Sequence, residues 1–249
     1  MVSVNTQSVQ IIGHRGSAAP FQENTLEAIS YGILSGARMI EIDLRLSKDK
    51  EVILSHNENL SKITGINQNI SEKTWEELSQ LQIKKKKEIF RLARLKDVFK
   101  SVPDDIQFYL EIKTSRSLYR PGWDKILVDK VISLIKKEKF KKKCLIMSFE
   151  QDIASYVKKK YPSYSVGIIL NSKTKFNTLL KNTKIKFDCL ALNYKLLTKR
   201  NLQIIRNSGI PLIVWTVNSK RLWKKIVSYR PWGIVTDYPE KFSSSDRMS

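Results

Sequence analysis

The eight residues "MIEIDLRL", Met39–Leu46, set Glu41 and Asp43 two positions apart inside a run of Met, Ile and Leu. Branched apolar residues at that density and length read as a strand. Residues two apart in a strand share a face, so the two carboxylates point the same way. In a closed barrel that face is the interior, and side chains near the C-terminal end of the strand reach the mouth.

The same kind of run recurs. "VQIIG" begins at Val9, "IQFYLEI" at Ile106, "CLIMSF" at Cys144 and "SVGIIL" at Ser165. "FDCLALN" follows from Phe187, "PLIVWTV" from Pro211 and "WGIVTD" from Trp232. With Met39–Leu46 these are eight. They are nearly continuous in apolar residues, as strands buried on both faces of a parallel sheet are. Segments of helical period lie between them, at 24–34, 125–137, 151–160, 198–207 and 219–229. Local punctuation agrees. Asn24 with Glu27 and Thr74 with Glu77 have capping-box spacing, which makes Asn24 the expected cap of the first helix. Gly36 and Gly209 stand where helices end, the second followed by Pro211.

Eight strand–helix units in 249 residues is the arithmetic of an α/β fold of the (β/α)8 TIM-barrel type; a doubly wound sheet is the alternative. Residues 57–102 break the rhythm and are expected to hold a small insertion after strand two, packed on the barrel mouth, and then the second helix. One domain is expected over residues 1–241, followed by a frayed polar tail at 242–249, "FSSSDRMS" with its first residue.

Lys and Arg number 45 against 24 Asp and Glu, a formal charge of +21. Such a field draws anions, whether a phosphate-bearing small molecule, nucleic acid or anionic lipid. The lysine runs at 84–87, 136–143 and 158–160 are scattered and not interleaved with aromatic residues as a base-stacking platform would be. Specific nucleic-acid binding is therefore not expected. A solvated lysine-rich surface is, with weak attraction to an anionic membrane surface. No run approaches the length of a membrane-spanning helix, and Met1–Gln10 lacks the basic and apolar regions of a secretory signal. A cytoplasmic location is the expectation. Cys144 and Cys189 have no partner at CxxC spacing and are expected as buried thiols. Oligomeric state has no signature here.

In a barrel of this type the chemistry sits at the C-terminal ends of the strands. The polar residues falling there are His14, Arg15, Glu41, Asp43, Glu111, Lys113, Asn193 and Asp237, with His56 after the short run "EVIL". Glu41, Asp43 and Glu111 would converge on one mouth, where three carboxylates repel unless a cation or basic side chains compensate. Three hard oxygen donors suit one divalent cation, Mg2+ or Ca2+. His14 and His56, the only histidines, make an acid–base pair for displacement at phosphorus. Arg15 and Lys113 would hold non-bridging phosphate oxygens. Trp215, late in the seventh strand, is expected against the substrate.

The segments "GHRGSAAPFQENT", "EIDLRLSKDKEVILSHN", "LEIK", "VWTVN" and "GIVTDYP" resemble the glycerophosphodiester phosphodiesterases, over Ile11 to Pro239. The resemblance implies a (β/α)8 barrel with a small insertion after strand two. It also implies a divalent cation on Glu41, Asp43 and Glu111, with His14 and His56 as general acid and base and Arg15 and Lys113 at the phosphate. Two residues depart from the family pattern: Asn57 stands where aspartate is usual, and Lys50 where glycine is. Neither removes a group the chemistry needs. The expected reaction is hydrolysis of a glycerophosphodiester, a small-molecule substrate, to glycerol 3-phosphate and an alcohol. A phospholipase D-type enzyme acting on lysophospholipid or sphingomyelin is the nearest alternative, and a non-catalytic basic binding protein on the same scaffold is the other.

Overall fold

In chain order the elements are β1 (Gln10–Gly13), α1 (Leu26–Leu34), β2 (Met39–Leu46), β3 (Val52–Leu54), α2 (Ser61–Thr64) and α3 (Trp75–Ser79). Next come β4 (Ile83–Lys85), β5 (Glu88–Phe90), α4 (Leu95–Ser101), β6 (Gln107–Ile112), α5 (Trp123–Lys137), β7 (Cys144–Ser148) and α6 (Gln151–Lys160). The chain closes with β8 (Ser165–Leu170), α7 (Lys173–Lys181), β9 (Cys189–Asn193), α8 (Lys199–Ser208), β10 (Leu212–Trp215), α9 (Lys220–Val227) and β11 (Gly233–Thr236). This is a computed structural model, and it describes residues 9–17, 21–114, 122–140, 143–181 and 185–242.

All eight apolar runs are strands, and all eight are parallel. β1 pairs with both β11 and β2, so the ring β1–β2–β6–β7–β8–β9–β10–β11 has no edge. Closure excludes the doubly wound sheet. The short β3 lies antiparallel on the end of β2 and folds the chain back over the mouth.

Period-two alternation divides the strand residues between two cores. Ile40, Ile42 and Leu44 of β2 pack outward with Phe108 and Leu110 of β6 and the helices. Met39, Tyr109, Met147, Ala191, Ile213 and Val235 fill the lumen. Glu41 and Glu111 continue the inward faces of β2 and β6 one step above Met39 and Tyr109. Apolar side chains thus form a floor, and acids stand on it. A third core, with Leu60, Ile70, Leu78, Ile83 and Phe90, belongs to the insertion and packs on Ile53 of β3. α4 packs instead in the main core through Leu95, Val98 and Phe99, so it is the second barrel helix.

The helix caps follow sequence with one correction. Thr74 and Glu77 make the reciprocal capping box, and Thr198 and Ser219 cap α8 and α9. Gly209 ends α8 at φ 66°. The cap of α1, however, is Thr25, whose hydroxyl accepts from the Ala28 N–H at 3.3 Å. Asn24 is left-handed, at φ 59°, and buried; its amide serves the site instead. α7 escaped the periodicity because Phe176 and Leu179 are buried in a lysine-rich segment. Phe242, placed in the polar tail by sequence, is buried and stacks on Trp223 with ring centroids 4.0 Å apart. Residues 243–249 of that tail lie outside the described residues. Cys144 and Cys189 are buried unpaired thiols, and burial pushes both pKa values up. No helix among the described residues is long and apolar enough to cross a membrane.

Candidate active site

The turn after β1 sets the geometry of the mouth. Gly16 has φ 90°, and a Cβ there would stand 2.6 Å from the Ala28 carbonyl carbon. A Cβ on Gly13 would meet the Gly16 carbonyl oxygen at 2.2 Å. Only glycine lets this turn fold so tightly onto α1. The turn presents His14 and Arg15 to the mouth, and the Arg15 backbone N–H donates to Glu41 Oε2 at 2.7 Å.

Glu41, Asp43 and Glu111 are all buried, and each offers a carboxylate oxygen within 4.8 Å of the others. Asp43 and Glu111 share one level through the β2–β6 register. Basic side chains compensate part of this charge. Lys113 Nζ lies 2.9 Å from Asp43 Oδ1 and also bonds Glu111 Oε1. Arg15 Nε lies 3.2 Å from Asp43 Oδ2, and its Nη1 donates to both oxygens of Glu23 at 2.8 Å. So Lys113 and Arg15, expected on a phosphate, also brace the acids.

Compensation is uneven. Burial opposes ionisation of Asp43, but Lys113 and Arg15 outweigh it and hold the carboxyl well below the usual range. Glu41 goes the other way. Burial and then the Asp43 charge push it up to about 8. Burial also raises Glu111, against the pull of Lys113. Glu41 Oε1 is buried with no hydrogen-bond partner. An orphaned carboxylate oxygen among hard donors, with charge left over, fits a divalent cation. Glu41, Asp43 and Glu111 are the residues that could hold it.

The two histidines occupy different environments. His14 Nδ1 sits 2.5 Å from Asp237 Oδ1, and its Nε2 is 3.9 Å from Glu41 Oε2. Burial works against the imidazolium, yet the bond to Asp237 and the Glu41 charge outweigh it and raise the pKa. Asp237 is itself held by the Asn218 side-chain N–H at 2.5 Å, and its N–H donates to Asn218 Oδ1 at 2.9 Å. His56 is pushed down, first by burial and then by the Lys113 charge. Its Nδ1 lies 3.0 Å from Asn57 Oδ1. A neutral ring donating there leaves Nε2 as the acceptor.

His14, Arg15, Glu41, His56, Glu111, Lys113 and Trp215 all line one cleft of about 380 Å³. Asp43 lies behind them, 1 % exposed. Trp215 meets Phe149 edge-on, with centroids 5.8 Å apart, and the two form an apolar wall.

Several positioning residues hold roles that the sequence did not assign, although the stretch "ENT" marks two of them. In "ENT", Glu23 holds Arg15, and Asn24 exchanges two hydrogen bonds with Asp43, at 2.8 and 3.1 Å. Arg45, two residues beyond Asp43 on the same face, donates to the His56 carbonyl at 2.7 and 3.1 Å and to Glu58 at 3.0 Å. Asp237 was visible as a polar residue ending strand eight, but nothing in the sequence joined it to His14.

A closed parallel barrel with basic side chains, acids and two dissimilar histidines gathered at its C-terminal mouth has the build of a (β/α)8-barrel enzyme, whose chemistry sits at that face. Comparison with known proteins narrows it. The model of the glycerophosphoryl diester phosphodiesterase family matches residues 14–241. A glycerophosphodiester phosphodiesterase from Caldanaerobacter subterraneus is 28% identical, over 92% of this chain and 94% of its own length. The human lysophospholipase D GDPD3 is 24% identical, over 94% of this chain and 84% of its own. The crystal structure of glycerophosphodiester phosphodiesterase from Thermotoga maritima matches with a TM-score of 0.77 at 29% identity, covering 94% of this chain and 96% of that one. The chain belongs to the glycerophosphoryl diester phosphodiesterase family, and by that membership it is a phosphodiesterase.

Proposed function

We propose that the chain hydrolyses glycerophosphodiesters to glycerol 3-phosphate and a free alcohol, with one divalent cation, Mg2+ or Ca2+, held by Glu41, Asp43 and Glu111. The observation that carries this is a single mouth where an acid cluster with a spare oxygen shares one cleft with two histidines of opposite protonation bias. When bound, the cation would supply positive charge for phosphoryl oxygens. Arg15 and Lys113 bind the non-bridging oxygens and orient phosphorus.

Among the described residues lining the cleft there is no serine, threonine or cysteine to attack phosphorus. We infer that the substrate's own glycerol 2-hydroxyl, rather than a water, is the nucleophile, because its attack is intramolecular and needs only orientation and proton transfer. His56, neutral by environment, takes the hydroxyl proton as the P–O bond forms. His14, biased toward its protonated form by Asp237, gives its proton to the departing alcohol as the other P–O bond breaks. Water then opens the cyclic phosphate with the roles reversed, and both rings return to their starting state.

The test is a substrate lacking the glycerol 2-hydroxyl but keeping phosphate and headgroup. It should bind as a competitive inhibitor and turn over very slowly. Cleavage at the normal rate means direct attack by water and ends this mechanism. Phe149, Trp215, Ile169 and Val235 on the cleft wall, with the match to a human lysophospholipase D, support a second reading in which the substrate bears an acyl chain. Turnover of lysophospholipid beside water-soluble glycerophosphodiesters, followed by release of the alcohol or its phosphate, separates the two.

A further inference from the structure

We infer that the outer face of the insertion hairpin docks on an anionic lipid bilayer, and that this docking holds the catalytic mouth at the membrane surface. The hairpin β4–β5 has two unlike faces. Ile83 and Phe90 pair across it and are buried in the insertion core. On the other face Lys84 pairs with Ile89, both exposed. Lys86 and Lys87 form the exposed turn, and Arg91 continues the outer face one pair beyond. Ile89 is 56% exposed, one of three large apolar residues so placed among those described. A second, Ile66, follows α2, the helix packed against β4. Leaving isoleucine in water at the centre of a basic patch costs apolar burial that a bilayer interface would recover.

The charge selects the partner. Lys84, Lys86, Lys87 and Arg91 are exposed in this segment against Glu88 alone, which complements the negative potential of anionic lipid. Nucleic acid is disfavoured because this face presents no ring for a base to stack on; Phe90 is turned inward and is 3% exposed. The hairpin is also tied to the site. Lys85, on its inner face, bonds the Phe21 carbonyl, two residues before the Glu23 that holds Arg15. A space of about 290 Å³ lies between the hairpin's Ile83 and His56. Such docking is independent of which diester the site cleaves.

The test is co-sedimentation of the full chain with vesicles of phosphatidylcholine alone and of phosphatidylcholine with phosphatidylserine. Binding should need phosphatidylserine and weaken with salt. A lysine near such a surface is worth roughly a fivefold change in partition. K84Q/K86Q/K87Q should therefore cut binding at least about tenfold. The control K136Q/K137Q/K159Q removes the same charge from exposed lysines at the far, N-terminal end of the barrel and should cut it far less. Ile89→Ser should weaken binding, and Ile89→Trp should strengthen it. Turnover of a water-soluble diester should be the same in all variants. Equal losses in the two triple variants would reduce the effect to net charge and overturn the inference. So would indifference to Ile89, or tighter binding to single-stranded nucleic acid than to the vesicles, lost in the hairpin variant.

Discussion

Replacing Glu41 with Gln should stabilise the cation-free protein while removing its response to cation. In the unfolded chain this carboxyl ionises near its ordinary value of 4.5, but in the folded barrel it holds its proton to about 8. The unfolded state therefore releases a proton that the folded state keeps. Each pH unit between the two values lowers folding stability by about 1.4 kcal/mol. At pH 7 the loss is roughly 3 kcal/mol, and at pH 5 it is below about 1 kcal/mol. Glutamine removes the ionisation. Its amide oxygen can accept from the Arg15 N–H as Glu41 Oε2 does at 2.7 Å, and its NH2 faces carboxylates of Asp43 and Glu111 within 4.8 Å. Allowing for the cost of keeping the amide buried, a net gain of about 2 kcal/mol corresponds to a rise in Tm of roughly 4–8 °C for a domain of this size. Scanning calorimetry in EDTA at pH 7 and pH 5 reads it directly. The gain should be large at pH 7 and small at pH 5. Mg2+ or Ca2+ should then raise the melting point of the wild-type chain but not of the variant. A variant that melts below wild type in EDTA at pH 7 refutes the charge strain at Glu41, and one that gains equally from cation refutes its place among the cation ligands.

His14→Ala and His56→Ala should each lower kcat by about a hundredfold or more with melting little changed, since a positioned acid or base contributes 10²–10⁴; near-full turnover in either removes that ring from the mechanism. Asp237→Asn should lower the His14 pKa, because the carboxylate is what offsets burial there, and NMR titration of the ring should show the midpoint moving to lower pH. Chelation should abolish turnover and Mg2+ or Ca2+ restore it; activity undiminished in EDTA would leave the acids to their pairing with Lys113 and Arg15. Phe242→Ala should destabilise the fold by about 3–5 kcal/mol, as truncation of a buried aromatic does, read as a lower denaturation midpoint; no change would return Phe242 to the tail.

Much of this molecule is written locally. The eight apolar runs specify eight buried parallel strands because β-branched density and two-faced burial are short-range properties. The spacing of Glu41 from Asp43 places both acids on one face whatever surrounds them. The reciprocal cap of Thr74 and Glu77 is complete within four residues. The partners that tune those groups are another matter. His14 acquires its raised pKa from Asp237, 223 residues away, and only barrel closure between β1 and β11 brings the two together. Asn24 has the spacing of a helix cap, yet it turns left-handed to grip Asp43 and leaves the cap to Thr25; the choice is made by a buried carboxylate 19 residues on, not by the helix. Arg45 reaching the His56 carbonyl, and Lys113 spanning Asp43 and Glu111, depend in the same way on contacts across elements. Sequence determined which side chains face the mouth, because strand periodicity is a property of adjacent residues. Tertiary structure decided how each is charged and held, because burial and partner distance exist only once the ring has closed.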